Sequence, residues 1–341
     1  MQTQNHSQAQ PTDRPHDYNA LTPDVVLQAI EQLGLEPGGR MLALNSYENR
    51  VYRIELENGA PVVVKFYRPH RWPDAAIREE HDFSQELAAS DIPVVPPTAF
   101  NGDTLHCINT GGSDFRYAVF ALHGGRWPDL EQRDDLIWMG RFIGRIHSVG
   151  ARQTFAHRHS IDIARMGAAS SDYLLAKHFI PDHLIDAYQS LSADLLDQIA
   201  ACFERAGDFT PIRLHGDCHR GNVLWTEGGP HFVDFDDCCN GPAIQDLWML
   251  LSGEREEMTA QLCDLLEGYS DFAEPELSQL HLIEALRSLR MMHYAAWLAR
   301  RWTDPAFPQA FPWFNTVNYW EQHILELREQ LARMQEPVLV V

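Results

Sequence analysis

The sequence predicts an α+β fold in two lobes, a small N-terminal lobe built from a sheet with one helix and a larger, mainly helical C-terminal lobe. Two observations carry this prediction. Short apolar runs separated by turn residues dominate the first third of the chain, and helical periodicity dominates from Leu130 onward. With 341 residues, the chain is long enough for each lobe to bury its own core. We place the lobes at 18–121 and 122–341, after a polar leader at 1–17.

The smaller lobe is expected to begin with a helix, because Thr22 is an N-cap residue and Pro23 suits the first turn. Asn58 and Gly59 favour a hairpin turn between two strands. A second helix is predicted at 75–89. The predicted strands are 41–44, 50–56, 60–67, 104–109 and 116–122.

The larger lobe combines helices with one irregular segment that carries the chemistry. Segment 212–237 reads as strand, loop, strand, turn and strand, whereas 151–181 is expected to be less regular and 305–313 to be a loop. The predicted helices are 136–150, 185–205, 244–251, 256–272, 276–301 and 320–334.

Charge and composition exclude several classes of partner. The chain has 48 acidic and 27 basic residues, a net charge of −21, which argues against nucleic acids and anionic membranes. No apolar run approaches the roughly 20 residues of a membrane span. The leader has no hydrophobic signal core, and the six cysteines show no paired spacing. We therefore expect a cytoplasmic protein with free thiols.

The strongest motif spans two neighbouring segments and contains Asp217, Asn222 five residues later and Asp234 twelve residues after that. Phosphoryl transfer from ATP uses one carboxylate to take the hydroxyl proton, and an Asn with a second carboxylate to hold Mg²⁺. The spacing therefore predicts Asp217 as the catalytic base, with Asn222 and Asp234 as metal ligands and Asp234 also essential for catalysis. The plainer alternative is a set of turn residues, since Asp, Asn and Gly favour loops.

Further polar residues surround this motif. Asp236 and Asp237 either serve a second metal ion or face solvent. His215 and His219 are expected to position the loop. A zinc site formed by these histidines with Cys218 is too compact to be persuasive.

Two residues outside the motif are expected to support it. Asp246 opens a helix, where it either accepts hydrogen bonds from the catalytic-loop backbone or simply complements the helix dipole. His147 is interpreted as a structural histidine.

The candidate ATP contacts lie in the smaller lobe. Lys65 ends an apolar run in a strand and can reach the α- and β-phosphates if a carboxylate steadies it. Glu80 is preferred over Glu79 for that role. The alternative is a surface lysine on an edge strand. Neither a glycine-rich turn nor a GxxxxGK sequence precedes this strand, so Asn45 and Ser46 are the residues available to meet phosphate. An ordinary polar hairpin tip remains the alternative there.

These motifs resemble a known superfamily. The segments 215–222 (His-Gly-Asp-x-His-x-x-Asn) and 233–236 (Val-Asp-Phe-Asp) are similar to those of the aminoglycoside phosphotransferases and choline kinases, whose fold is like that of protein kinases. With 44–52 and 240–250 added, the resemblance narrows to bacterial Ser/Thr protein kinases of this superfamily, which are linked to survival under envelope and oxidative stress. It covers residues 18–335.

The resemblance implies a kinase-like bilobal fold and a cytoplasmic monomer capable of autophosphorylation. It also implies that Asp217 accepts the proton, that Asn222 and Asp234 bind Mg²⁺, and that Ser46 lies at the ATP site. Protein substrates carrying Ser or Thr are the implied partners.

Three functions follow as hypotheses. The first is an ATP- and Mg²⁺-dependent Ser/Thr protein kinase of a bacterial stress response, with Asp217 as the base. The second is a small-molecule kinase acting on an amino sugar, choline or a similar alcohol, because the transfer residues do not specify the acceptor. The third is a pseudokinase that serves as a scaffold.

Overall fold

The computed structural model describes residues 18–110 and 112–341, and these residues form two compact units. The first unit contains the described residues up to Arg78 together with Pro97–Leu122. The second contains Glu79–Pro96 and His123–Val341. The predicted leader, 1–17, lies outside the described residues.

The first unit is a five-stranded antiparallel sheet with the order β1-β2-β3-β5-β4. Its first helix, α1 (Pro23–Glu31), begins after Thr22, whose side chain accepts a hydrogen bond from the Val25 N–H, as predicted. The first strand starts earlier than expected, at Pro37, because a bulge lets Pro37 pair with Leu56. The strands are β1 (Pro37–Ala43), β2 (Arg50–Leu56), β3 (Val62–Phe66), β4 (His106–Thr110) and β5 (Ser113–Ala121).

The second unit is mainly helical, as predicted, and helix α2 (Asp74–Ala89) leads into it from the first unit. The α+β fold class, with an antiparallel sheet first and helices after it, is confirmed. The remaining helices are α3 (Arg133–Gly150), α4 (Ala169–Ala176), α5 (Ile185–Ala206), α6 (Ile244–Trp248), α7 (Arg255–Tyr269), α8 (Ile283–Arg301), α9 (Ala306–Ala310) and α10 (Val317–Arg333).

Two helices lie where irregular chain was expected. Helix α4 falls within 151–181, where small residues hide the helical pattern; Ser170 is fully buried and the Ser171 hydroxyl donates to Ser192 on α5. Tertiary packing therefore sets this helix, not local periodicity. Helix α9 falls in the predicted loop 305–313 and carries the fully buried Phe307.

The motif segment forms two small antiparallel pairs. Strand β6 (Ile212–Leu214) pairs with β9 (Cys239–Gly241), which was not predicted, and β7 (Val223–Thr226) pairs with β8 (Gly229–Phe232), as expected. The β7–β8 hairpin places Asn222 and Asp234 at the same end, and the Val233 N–H donates to the Asn222 carbonyl at 3.0 Å. The pairing thus brings both candidate metal ligands to one place.

Helices α3 and α7 pack closely against each other. A side chain at Gly140 on α3 would meet the Leu265 carbonyl oxygen on α7 at 2.0 Å, so this crossing requires glycine. The close approach brings His147, near the end of α3, within hydrogen-bonding distance of Tyr269 at the end of α7. Within the described part of the chain, no helix combines the length and apolarity needed to cross a membrane.

Candidate active site

The catalytic loop, residues 215–222, follows strand β6 and turns sharply at Gly216. Gly216 has a φ of 83°, and a β-carbon there would lie 2.2 Å from the Asp237 carbonyl oxygen. Both the left-handed backbone and the close approach exclude other residues. This turn sets the direction in which Asp217 leaves the strand.

Asp246 anchors the loop, and the prediction that it accepts backbone hydrogen bonds there is confirmed. Its two carboxylate oxygens accept from the N–H groups of His215 and Gly216 at 2.8 and 2.9 Å. Beside it on α6, the Gln245 side chain donates to the Gly216 carbonyl at 3.0 Å. The short helix α6 therefore fixes both faces of the Gly216 turn.

His147 extends this anchor into the α3–α7 crossing and is structural, as predicted. Its Nε2 lies 3.1 Å from Asp246, and its Nδ1 lies 3.0 Å from the Tyr269 hydroxyl. Burial raises the pKa of Tyr269, so its hydroxyl keeps its proton. The network assigns the imidazole proton to Nε2, because a carboxylate only accepts, and Nδ1 then accepts from Tyr269.

The Asp217 carboxylate has different partners on its two oxygens. Its Oδ2 accepts from the Asn222 side-chain amide at 3.2 Å and lies 3.4 Å from His219 Nε2. The His219 Nδ1 accepts from the Gly221 N–H at 2.9 Å, which assigns the ring proton to Nε2. The Oδ1 lies 2.6 Å from a guanidinium nitrogen of Arg290 on α8.

These contacts decide the charge of Asp217. Burial favours the neutral acid, but the hydrogen bond from His219 and the positive charge of Arg290 outweigh it and hold the pKa of Asp217 well below its usual range. The side chain is one-fifth exposed, but its Oδ1 atom is buried. Asp217 is thus an ionised carboxylate in a fixed orientation, as a general base requires.

Asn222 and Asp234 offer oxygen atoms suited to Mg²⁺. The Asn222 amide nitrogen donates to the Asp217 backbone carbonyl at 3.0 Å as well as to its carboxylate, which turns the amide oxygen away from Asp217. Asp234 is exposed and has a φ of 61°, an unusual backbone for a residue other than glycine. Mg²⁺ is commonly held by one or two protein oxygens together with substrate phosphates. The donor set fits.

The segment after Asp234 is held by a residue that the sequence did not single out. Arg158 donates to the backbone carbonyls of Asp236 and Cys238 at 2.6 and 3.2 Å and pairs with Glu80 at 2.8 Å. Asp236 is buried, whereas Asp237 is exposed. Arg158 therefore fixes the backbone next to the candidate metal ligand.

The structure also describes the thiol of Cys218, which follows Asp217 in the chain. Cys218 is fully buried, and burial raises the pKa of its thiol well above the usual value. Residues 18–110 and 112–341 contain no group of three or more His, Cys, Asp or Glu side chains arranged to hold a metal ion. Cys218 is thus a neutral packing residue.

Lys65 lies on β3, the central strand of the first unit's sheet. It pairs with Val51 on one side and Ala118 on the other, and only 6% of it is exposed. The alternative of a surface lysine on an edge strand is therefore wrong. Its ammonium group lies 4.9 Å from the centre of the Tyr67 ring.

Glu79 and Glu80, the two candidate partners for Lys65, both have contacts within the second unit. The Glu79 carboxylate accepts from the backbone N–H groups of Ala156, His157 and Arg158 at 2.7 to 3.0 Å. Glu79 therefore anchors the chain after α3. Glu80 is buried and carries the ion pair with Arg158. The role of Glu80 beside Lys65 stays a prediction.

The loop between β1 and β2, which carries half-buried Ser46, is held by Arg68. The buried Arg68 guanidinium donates to the carbonyls of Glu48 and Tyr47 at 2.9 and 3.2 Å, and its backbone N–H donates to the Asn49 side chain at 3.1 Å. The Tyr18 hydroxyl adds a hydrogen bond to the Glu48 carbonyl. A loop without glycine is thus fixed by side chains from outside it.

Sequence reasoning missed three arginines, Arg68, Arg158 and Arg290, for a shared reason. Each acts on a loop distant from it along the chain, and none belongs to a recognisable motif. The only signal for Arg68 is its place just after the strand that carries Lys65. For the other two, the sequence offers none.

Comparisons with known proteins agree with this geometry. Residues 41–283 match the family model described as "Phosphotransferase enzyme family". Stress response kinase A of Escherichia coli (strain K12) is 42% identical over 94% of this chain and 96% of its own length. The protein named serine/threonine protein kinase RdoA, of Salmonella typhimurium (strain LT2), is 40% identical over 96% of this chain and 98% of its own.

A solved structure gives the same architecture. The amicoumacin kinase hAmiN, in complex with AMP-PNP, Ca²⁺ and Ami, matches with a TM-score of 0.71 and 19% identity over 92% of this chain and 94% of its own. The kinase-like fold is therefore confirmed. Since the family model covers most of the chain and relatives named as kinases match nearly all of it, the chain belongs to the phosphotransferase enzyme family.

Proposed function

We propose that this phosphotransferase is an ATP- and Mg²⁺-dependent Ser/Thr protein kinase of a bacterial stress response. The observation that carries the transfer chemistry is the ionised Asp217, with one oxygen held by Asn222 and His219 and the other 2.6 Å from Arg290. The names of the relatives, stress response kinase and serine/threonine protein kinase, favour a protein as the acceptor.

In the proposed mechanism, Asp217 orients the acceptor hydroxyl and takes its proton. The hydroxyl oxygen forms a bond to the γ-phosphorus, the bond from that phosphorus to the β-phosphate bridging oxygen breaks, and ADP leaves with the electron pair. His219 and Asn222 keep the carboxylate oriented throughout. A bound Mg²⁺ would neutralise phosphate charge, with Asn222 and Asp234 as its protein ligands.

Residues of the first unit would meet the nucleotide. Lys65, rigidly placed on a central strand, is proposed to contact the α- and β-phosphates, with Glu80 steadying it. The N–H groups of Asn45 and Ser46 have no hydrogen-bond acceptor in the described residues, and the Ser46 loop is held at its carbonyls. Such a loop can offer its amides to an anion.

A second candidate is a small-molecule kinase. This possibility is suggested by the similar structure of hAmiN, which is named as an amicoumacin kinase. The residues around Asp217 serve either acceptor equally well, because they handle only the hydroxyl and the phosphates. The acceptor must therefore be identified by experiment.

The deciding experiment incubates the protein with γ-labelled ATP, Mg²⁺ and either Ser/Thr peptides or a panel of amino sugars, choline and similar alcohols. We expect label in peptide and a loss of about 10³-fold in kcat for Asp217→Ala, the usual contribution of a general base, with ATP binding largely kept. Asp271→Ala, which removes a half-exposed carboxylate paired with Arg141, is the matched control and should keep full activity.

Each other outcome has a definite meaning. Label only in the small molecules refutes the protein-kinase proposal. Equal turnover by the Asp217 variant and the wild type refutes the base. Absence of turnover in the wild type, with ATP bound, favours the pseudokinase. A cytoplasmic monomer belongs to the same proposal. Gel filtration should therefore show elution at the position expected for a monomer.

A further inference from the structure

The reacting oxygen of the proposed base is covered by an arginine. Two donors from the catalytic loop, Asn222 and His219, approach Asp217 Oδ2. Oδ1 is therefore the oxygen left to take a hydroxyl proton, and it lies 2.6 Å from the Arg290 guanidinium. Oδ1 is buried in this arrangement, so an acceptor hydroxyl can reach it only if a covering group such as the Arg290 guanidinium moves aside.

The Arg290–Asp217 ion pair is open to solvent on its arginine side. The Arg290 side chain is 40% exposed, whereas the Asp217 Oδ1 that it contacts is buried. Arg290 also comes from α8, outside the catalytic loop, on a long side chain that can turn toward solvent. Arg290 can thus exchange the Asp217 carboxylate for another carboxylate without losing its ion pair.

The charge of Arg290 limits which acceptors can make that exchange. A cationic acceptor, such as an amine-bearing sugar or choline, would meet a guanidinium next to the reacting carboxylate and be repelled. An acceptor with a carboxylate near its hydroxyl would offer Arg290 a new partner and free Oδ1 at the same time. Arginine suits this exchange, because its planar fork pairs readily with carboxylates.

We propose that Arg290 is a specificity-determining residue that selects an anionic acceptor, a Ser or Thr with an acidic residue next to it, by leaving Asp217 Oδ1 for the carboxylate of the acceptor. This inference rests on the proposed function and names its substrate class. Because Arg290 stays tethered to α8 and neighbouring Cα atoms are about 3.8 Å apart, the acidic residue lies within one or two positions of the hydroxyl. The transfer step itself is unchanged.

The test compares two peptides that differ only in Glu or Gln beside the same Ser, with Mg²⁺-ATP as donor. For the wild type we expect kcat/KM to favour the Glu peptide about tenfold, a typical value for one charge-assisted contact. In Arg290→Gln the ratio of kcat/KM for the Glu peptide to that for the Gln peptide should fall to about one. Loss of the guanidinium removes the ion pair with the Glu peptide and also uncovers Oδ1 for the Gln peptide. Arg290→Lys should recover part of the preference.

The control is Arg287→Gln, one turn earlier on α8. Arg287 pairs with Glu284 at 3.2 Å and lies over the Trp248 ring, so its loss removes the same charge from the same helix without touching Asp217. This variant should keep the wild-type ratio. If Arg290 had a purely structural role, its loss would lower kcat/KM equally for both peptides and leave the ratio unchanged. That result would overturn the inference.

Failure of this inference differs from failure of the proposed function. If the wild type phosphorylates both peptides equally, or the Arg290→Gln variant keeps the preference, the protein kinase stands and the role of Arg290 is refuted. If the wild type phosphorylates only small molecules, the proposed function fails. A preference for cationic small molecules would refute both.

Discussion

The loop at 44–49 in the first unit and the catalytic loop at 215–222 in the second are held in place by opposite chemistry. In the first, Arg68 and Tyr18 donate to backbone carbonyls. In the second, Asp246 accepts from backbone N–H groups. The first loop is fixed at its carbonyls, whereas the second is fixed mainly at its N–H groups, with Gln245 adding one hydrogen bond to a carbonyl.

The difference follows from what each loop is proposed to meet. A loop fixed at its carbonyls can turn amide groups toward a phosphate anion. A loop whose amides are satisfied presents side-chain oxygens instead, as the carboxylate of Asp217 and the amide of Asn222 do here. Metal ions and hydroxyl protons need such oxygen atoms. The choice of bracing residue therefore matches the charge of the partner.

The largest effect should come from removing the carboxylate that braces the catalytic loop. Asp246→Ala leaves the N–H groups of His215 and Gly216 and the His147 Nε2–H buried without an acceptor. We expect the free energy of unfolding to fall by about 3 kcal/mol or more, since each orphaned donor costs about 1–3 kcal/mol. Urea denaturation measures this.

Asp271→Ala provides the matched comparison for Asp246→Ala. It removes a carboxylate from an ion pair that is half exposed on both sides, and it should change the free energy of unfolding by less than about 1 kcal/mol. Similar losses in the two variants would show that the Asp246 network is not a special anchor.

A smaller effect is expected where the loop backbone turns. Gly216→Ala would force a β-carbon against the Asp237 carbonyl and displace Asp217. We expect kcat to fall about 10²-fold, the usual result of a 1 Å misplacement, while ATP affinity stays near the wild-type value. Gly228→Ala is the control, because no backbone atom lies near the carbon added in the β7–β8 turn. This variant should keep the wild-type kcat. A change in ATP affinity without a change in kcat would contradict the assignment.

The smallest effect should arise at the other loop. Arg68→Met removes the donors to the Tyr47 and Glu48 carbonyls. We expect ATP to bind about tenfold more weakly, because one or two loop side chains must then be ordered on binding at about 1 kcal/mol each. Titration calorimetry measures the affinity. Arg53→Met, which breaks an exposed pair with Glu55 on β2, is the control. Unchanged affinity in Arg68→Met would remove the distinction between the loops.

The sequence predicted the elements that have strong local signals. The start of α1 at Thr22 and Pro23, the hairpin of β2 and β3 and the strand–loop–strand pattern around Asp217 all appear where they were expected. Helix α4 was missed because its small buried residues give no periodic pattern, and packing against α5 decides its conformation.

By itself, the sequence determined which functional groups the site contains: a carboxylate, an amide and a second carboxylate at a spacing suited to ATP and Mg²⁺. It could do so because local spacing fixes which side chains share a loop and a hairpin. Only the tertiary structure decided how those groups are aimed and charged. Asp246, Arg158 and Arg290 reach the catalytic segment from positions distant along the chain, and hydrogen bonds between distant residues leave no periodic trace in a sequence. The acceptor preference proposed for Arg290 rests on a contact that only folding creates, between its guanidinium and Asp217.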